Sequence, residues 1–223
     1  MRRKIAILMC SIGIGILLAI SACAQEVYEK DQNIYFRDVN NKESQLTFKG
    51  KDYGAKLSPD REKIIFVREI KPCPGTSDAG WMPSDCEEIW AVNVDGSNEH
   101  RIIKSNYADH PNMSYYLGSF DSLNFSPDGN YIFFLSQHCA VDAILYRANF
   151  DGSNIKRLSN AHQLDVVGGY PKDEYYGHPV VGIRKLPKGA SVIKWSVVLM
   201  APDGHEIKEI DNLDLFWKTH KKL

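Results

Sequence analysis

Histidine, carboxylate and cysteine are the side chains here whose placement could support chemistry. Asp109, His110, His138 and His178 bring imidazole and carboxylate groups into segments without regular hydrophobic patterning. Converged on one site, they would suit a divalent cation or an acid and base pair. No His-Glu-x-x-His, Gly-x-Ser-x-Gly or glycine-rich phosphate loop accompanies them, so hydrolase and nucleotide-binding signals are lacking. The expectation is no catalytic residue, no metal and no cofactor. Asp95 and Asp151 are expected as turn residues rather than calcium ligands.

Cysteine suggests two other kinds of chemistry. Cys73 and Cys86 bracket a loop rich in proline and glycine. No Cys-x-x-Cys or neighbouring histidine pair completes four metal ligands, so a disulfide closing that loop is expected. Met1-Arg2-Arg3-Lys4 is cationic, Ile5 to Ile20 is almost wholly apolar, and Ser21-Ala22-Cys23-Ala24 supplies small residues. This is the pattern of a secretory signal. Ile20-Ser21-Ala22-Cys23 resembles the bacterial lipobox, which would remove residues 1–22 and acylate Cys23. Ala22-Cys23-Ala24 before Gln25 also fits ordinary cleavage after residue 24. Either route exports the chain. The expected location is the periplasm, anchored by lipid to the outer membrane if the cell is Gram-negative.

The elements that must position these groups are short strands. The chain has 223 residues, a formal charge of −1, 11% aromatic residues, 16 glycines and 10 prolines. That composition fits a turn-rich β protein, and the charge offers no basic footprint for nucleic acid. Tight turns begin at 40, 95, 151 and 203 (Asn40-Asn41, Asp95-Gly96, Asp151-Gly152, Asp203-Gly204), spaced by 52 to 56 residues. Each follows a strand-like run such as Ile89 to Val94 or Leu145 to Phe150, and each precedes a partner strand, so the chain repeats a hairpin four times. Ahead of the second and third hairpins, Ser58-Pro59-Asp60 and Ser126-Pro127-Asp128-Gly129 join two further strands.

Ser-Pro-Asp-Gly, an apolar strand, Asp-Gly-Ser-Asn and an Arg-Leu-Ser ending, most complete over Ser122 to Asn160, resemble the WD-like repeat of TolB-type β-propellers. Two departures stand out: Arg61 where the family has glycine, and Leu186-Pro187-Lys188-Gly189 in place of the first turn of the fourth copy. The resemblance implies an all-β fold, a small β-propeller-like domain of about four repeat units, incomplete or open. The expected layout is a signal at 1–22, a linker at 23–32, the propeller at 33–217 and a solvated basic tail at 218–223. Leu213 to Trp217 is expected either to supply a missing strand of the first unit and close the ring, or to leave an open arc able to pair with another copy. Trp195 and Met200 are expected in the core.

Strands alternating up and down would put the Ser-Pro-Asp and Asp-Gly turns on one rim and the long connections on the other. Those connections carry Trp81 (71–87), Tyr107, Asp109, His110, Tyr115 and Tyr116 (105–121), His138 (137–143), and Tyr170, Tyr175, Tyr176 and His178 (161–178). Aromatic and polar side chains together suit recognition. The expectation is a non-enzymatic protein that binds a protein partner of the cell envelope through this rim. It would touch the membrane only through a lipid anchor and would not bind nucleic acid. The alternatives are a propeller-type enzyme or carbohydrate-binding protein using the same rim, and a fragment that self-assembles as a homo-oligomer.

Overall fold

The computed structural model describes residues 24–71, 86–106, 117–139, 142–169, 171–185 and 193–223. These residues form four antiparallel sheets in chain order, which we call blades. Blade 1 holds β1 (Glu26–Lys30), β2 (Asn33–Arg37) and β3 (Glu43–Gln45); blade 2 holds β4 (Asp52–Leu57), β5 (Lys63–Ile70), β6 (Cys86–Asn93) and β7 (His100–Ile103). Blade 3 holds β8 (Phe120–Phe125), β9 (Tyr131–Cys139), β10 (Asp142–Asn149) and β11 (Lys156–Ala161); blade 4 holds β12 (Gln163–Val166), β13 (Pro179–Lys185), β14 (Lys194–Met200) and β15 (Glu206–Glu209). Helix α1 (Leu213–Thr219) ends the chain.

Period-2 alternation lets each central strand serve two interfaces. In β5, Ile64 and Phe66 turn toward blade 1 and meet Ile34, Phe36 and Leu46, whereas Ile65 and Val67 turn toward blade 3 and meet Phe120, Leu123 and Phe134. Phe133 and Leu135 repeat this between blades 3 and 4, against Leu164, Val181 and Val198. No such cluster joins blade 4 to blade 1 among the described residues, so the sheets form an open arc.

The turns work as their residues predict. Ser126 Oγ accepts the Tyr131 N–H at 2.9 Å while its hydroxyl binds Asp128, and Ser58 does the same for Lys63 and Asp60. Asp95 and Asp151 accept the hydroxyls of Ser97 and Ser153 at 2.6 Å and their N–H groups at 2.8 and 2.9 Å, and these bonds, the hydroxyls first, hold both carboxyls below their ordinary pKa. Arg61 takes the glycine position with φ of 63°. Gly152 is required twice over. Its φ is 80°, and a Cβ there would lie 2.1 Å from the Ile102 carbonyl oxygen of the preceding blade.

The inner strands of blades 2 and 3 carry matching bulges. Register shifts between Tyr53 and Lys56, and between Asp121 and Asn124, where Gly54 and Ser122 adopt φ of 66° and 52°. A carboxylate accepts each freed amide, Glu29 from Gly54 at 2.7 Å and Asp121 from Ser122 at 2.6 Å.

Three expectations need correction. The linker at 23–32 contains β1, a strand whose charged residues hide its apolar alternation and which is held by pairing with β2, an Arg37–Glu26 ion pair and a Tyr28–Tyr35 stack. Leu213 to Trp217 is not a closing strand. It lies in α1, started by Asn212, whose side chain accepts the Leu215 N–H, and Phe216 packs on blade 4 rather than blade 1. The tail at 218–223 is docked through its backbone while most of its side chains stay exposed: Lys222 bridges Val167, and the Leu223 N–H donates to the Val166 carbonyl at 2.8 Å.

A buried ion pair pins blade 2 where it meets blade 1. Arg68 binds Asp52 through two bonds of 2.6 and 2.7 Å, reaches Glu99 with its third nitrogen, and lies over the rings of Phe66 and Trp90. The Asp52 and Arg68 side chains are 0% and 4% exposed. Asp52→Ala leaves the desolvated guanidinium with Glu99 alone and is expected to cost about 3 kcal/mol in urea unfolding; a loss below about 1 kcal/mol would show the pair to be dispensable.

Candidate functional site

Strand direction assigns every connection to a rim. The first strand of each complete blade runs toward the turn rim, the second returns, and the loop between second and third strands lies on the long-connection rim with the links between blades. The expected rim residues fall largely in segments 72–85 and 107–116. They contain Cys73, Trp81, Tyr107, Asp109, His110, Tyr115 and Tyr116, all outside the described residues, as are Tyr170 and the leader with Cys23. His138 lies near the same rim in β9. Cys86, 1% exposed at the start of β6, is disulfide-bonded; its expected partner, Cys73, is among the residues not described.

Tyr175, Tyr176 and His178 sit on the opposite rim from the one expected. The first strand of blade 4 is β12, so 167–178 joins β12 to β13 beside the Ser-Pro-Asp turns; Gly177 packs against Pro127. Tyr175 there packs its ring near His178 and His220, and its hydroxyl accepts from Lys208 at 3.0 Å. Asp173 accepts the Tyr175 N–H and the His220 ring N–H. Burial raises the Asp173 pKa, but these bonds and the imidazole charges outweigh it and leave the carboxyl below its ordinary value. This cluster fastens the C-terminal segment. It is not brought together with the residues of the long-connection rim.

On the long-connection rim, a cleft of about 360 Å³ opens where blade 1 meets blade 2. The β1–β2 turn contributes Lys30, Asp31 and Gln32, and blade 2 contributes Lys51, Asp52, Tyr53 and Glu69. Lys51 and Lys71 bind Glu69 at 2.9 and 2.8 Å. Tyr53, turned toward blade 3, donates its hydroxyl to Glu87, whose second oxygen is buried without a partner. Desolvation raises the Glu87 pKa, helped by Glu69 and Asp121 and opposed by the hydrogen bonds from Tyr53 and the Phe120 N–H. Burial and Glu87 likewise push Tyr53 upward. The pair is a desolvated hydroxyl–carboxyl contact at the root of the rim.

Large hydrophobic side chains are exposed to solvent on this rim. Phe48, in the link from blade 1 to blade 2, is 73% exposed; Trp195 and Ile193, at the start of β14 in blade 4, are 58% and 60% exposed. Met200 is in the core as expected, and Trp195 is not. Trp195 lies across from Arg184, whose guanidinium is 5.0 Å from the indole, and the His162 ring meets it edge-on at 4.8 Å. A tryptophan two residues into a strand reads as core because its exposure depends on whether another sheet covers that face.

No family model matches the chain, and no curated protein does. Among solved structures, TolB from Acinetobacter baumannii superposes with a TM-score of 0.50 at 16% identity, over 82% of this chain and 39% of that one. A TolB structure from Agrobacterium tumefaciens gives 0.50 at 19% identity, over 79% and 55%. The tricorn protease gives 0.51 at 15% identity, over 85% and 17%. The chain therefore spans about half or less of the proteins it resembles. These likenesses establish the β-propeller fold, and that fold serves proteins of different activity.

Glu87 supplies a signed pH prediction. Its raised folded-state pKa means that folding favours the protonated carboxyl, so stability falls as pH rises from the ordinary glutamate value, about 4.3, toward the folded value. Glu87→Gln keeps a hydrogen-bonding partner for Tyr53 without the charge. The variant should unfold at higher urea than the parent at pH 7, with the gain vanishing below about pH 4. An equal or lower midpoint at pH 7 contradicts the assignment.

Proposed function

We propose that this chain is an exported, non-enzymatic propeller protein that binds a protein partner of the cell envelope through its long-connection rim. The observation that carries the reading is the exposure of Phe48 and Trp195 on one rim, in different blades of the same arc. Large rings left in water are costly for a lone protein and are the usual anchors of an interface, where each can supply several kcal/mol. The charged cleft beside Phe48 gives the polar surroundings that such anchors need. The fold likeness to TolB supports an envelope setting by analogy. The leader and the lipobox-like Cys23 support export and a lipid anchor. Among the described residues no helix is long and apolar enough to cross a membrane.

Phe48→Ala and Trp195→Ala should each weaken capture of envelope partners by about tenfold or more, while Val39→Ala, an exposed residue on the turn rim, should leave it unchanged. Equal capture by all three variants would remove the long-connection rim from consideration. Mass spectrometry of the mature N-terminus should find an acylated Cys23; a free Gln25 would replace the anchored form with a released one. A second reading, an enzyme or carbohydrate-binding protein on the same rim, has the buried, hydrogen-bonded Tyr53–Glu87 pair, with the Glu87 pKa raised by desolvation, in its favour. It requires turnover, or glycan binding, that Glu87→Gln abolishes in folded protein.

A further inference from the structure

Blade 1 is out of step with the other blades in the strands it holds. The turn glycines Gly96, Gly152 and Gly204, each between the third and fourth strands of its blade, lie nearest to Leu46, Ile102 and Leu158 of the preceding blade. Ile102 and Leu158 belong to the fourth strands β7 and β11. By the same contact β3, which ends just before Leu46, is a fourth strand, and β1 and β2 are a second and a third. Among the described residues blade 1 has no counterpart of the innermost strands β4, β8 and β12. The C-terminal run that could have supplied one lies on blade 4.

The backbone and the core both register this. The two-residue turn Asp31-Gln32 makes Lys30 and Asn33 a mutually bonded pair, so Tyr28 and Glu26 also bond β2. The N–H and C=O groups of Val27 and Glu29 therefore point to the other edge of β1, where no described backbone group meets them. That edge is regular, whereas the inner strands β4 and β8 carry bulges. In the core, Ala55 and Leu57 turn toward blade 1 beside Val27 and are only partly buried. Counted back from the Ser-Pro-Asp turn, the same positions in blade 3 are Leu123 and Phe125, which are 1% and 2% exposed against blade 2.

We propose that the inner edge of β1 is a strand-accepting site, and that its occupant is an extended segment of another protein, added antiparallel to β1. The other blades show that an antiparallel strand is what completes this edge and covers these positions. Ala24 and Gln25 lead directly into β1. A second copy has every strand engaged in its own sheets and could offer only its β1, which would bring two further strands into a groove bounded by β4, β8 and β12. A lone extended segment fits there. It runs from the long-connection rim toward the turn rim, entering by the cleft whose walls include Glu29 and Lys30 of β1 and Asp52 and Tyr53 of β4. Its residues opposite Glu29 and Val27 face blade 2. The first meets a carboxylate and should be basic; the second meets Ala55 and Leu57 and should be apolar. Recognition rests on the backbone edge and does not require the exposed rings of the rim.

The probe is the synthetic peptide acetyl-Thr-Lys-Thr-Val-Thr-Val-Thr-amide, which sets its lysine opposite Glu29 and its first valine opposite Val27. It should bind the purified protein saturably and slow hydrogen exchange at the Val27 and Glu29 amides, which exchange fast without it. Methylating the backbone nitrogens of the lysine and the first valine removes the donors aimed at β1 and should weaken binding by about tenfold or more. Methylating the two threonines that flank that valine should not. Leu57→Arg should weaken binding as well, while Trp195→Ala, which tests the rim, should leave it unchanged. Failure of the peptide to bind, or binding indifferent to which nitrogens are methylated, overturns the proposal. Slow exchange at Val27 and Glu29 in the free protein also overturns it, whether a monomer fills the edge with its own chain or a second copy does so in a species that dissociates on dilution.

Discussion

Every sheet in this protein has two faces, and an apolar face must be covered. That constraint organises the molecule more than any single bond does. Four sheets stacked in a row leave two ends, and each end is handled differently. The first is built polar: its tyrosines are shielded by arginine and lysine, which are neutralised in turn by carboxylates. The last is built apolar and carries a helix of its own chain. The buried Arg68–Asp52 pair lies within the second blade on the side that faces the first, and the Asp52 N–H donates across to the Gln32 carbonyl at 2.9 Å, so a directional bond joins the packing at that end of the stack.

The two rims have divided the labour between them. On the turn rim, serine, proline, aspartate and glycine interlock with the preceding blade at distances that exclude larger residues, as at Gly152. Such a surface leaves little room for variation. The other rim carries the links between blades, the cleft, the desolvated Glu87 and the solvent-facing Phe48 and Trp195.

Much of the scaffold was legible in the sequence because its signals are local. Asp-Gly and Ser-Pro-Asp turns dictate their own backbone, and the strands beside them follow from alternation. What escaped depends on partners distant in sequence. β12 is short, and Gln163 and Asp165 face away from blade 3, so it read as loop and moved Tyr175, Tyr176 and His178 to the wrong rim. Leu213 to Trp217 is an apolar run that fits a strand or a helix. The Asn212 cap was its one local cue, and the deciding contacts lie in blade 4. Trp195 looks like core until it is known that no sheet follows on its side.

The bulges at Gly54 and Ser122 have a protective consequence. An arc that does not close leaves the edges of its inner strands facing a groove, and a regular edge is a template for foreign strands. These two left-handed residues break the spacing of amide and carbonyl groups near the same level in adjacent blades, and a nearby carboxylate already holds each released amide. A strand laid along that wall would find its donors and acceptors out of step after a few residues. The open side is therefore guarded against amyloid-like growth by the shape of the backbone itself, whatever side chains the two inner strands carry.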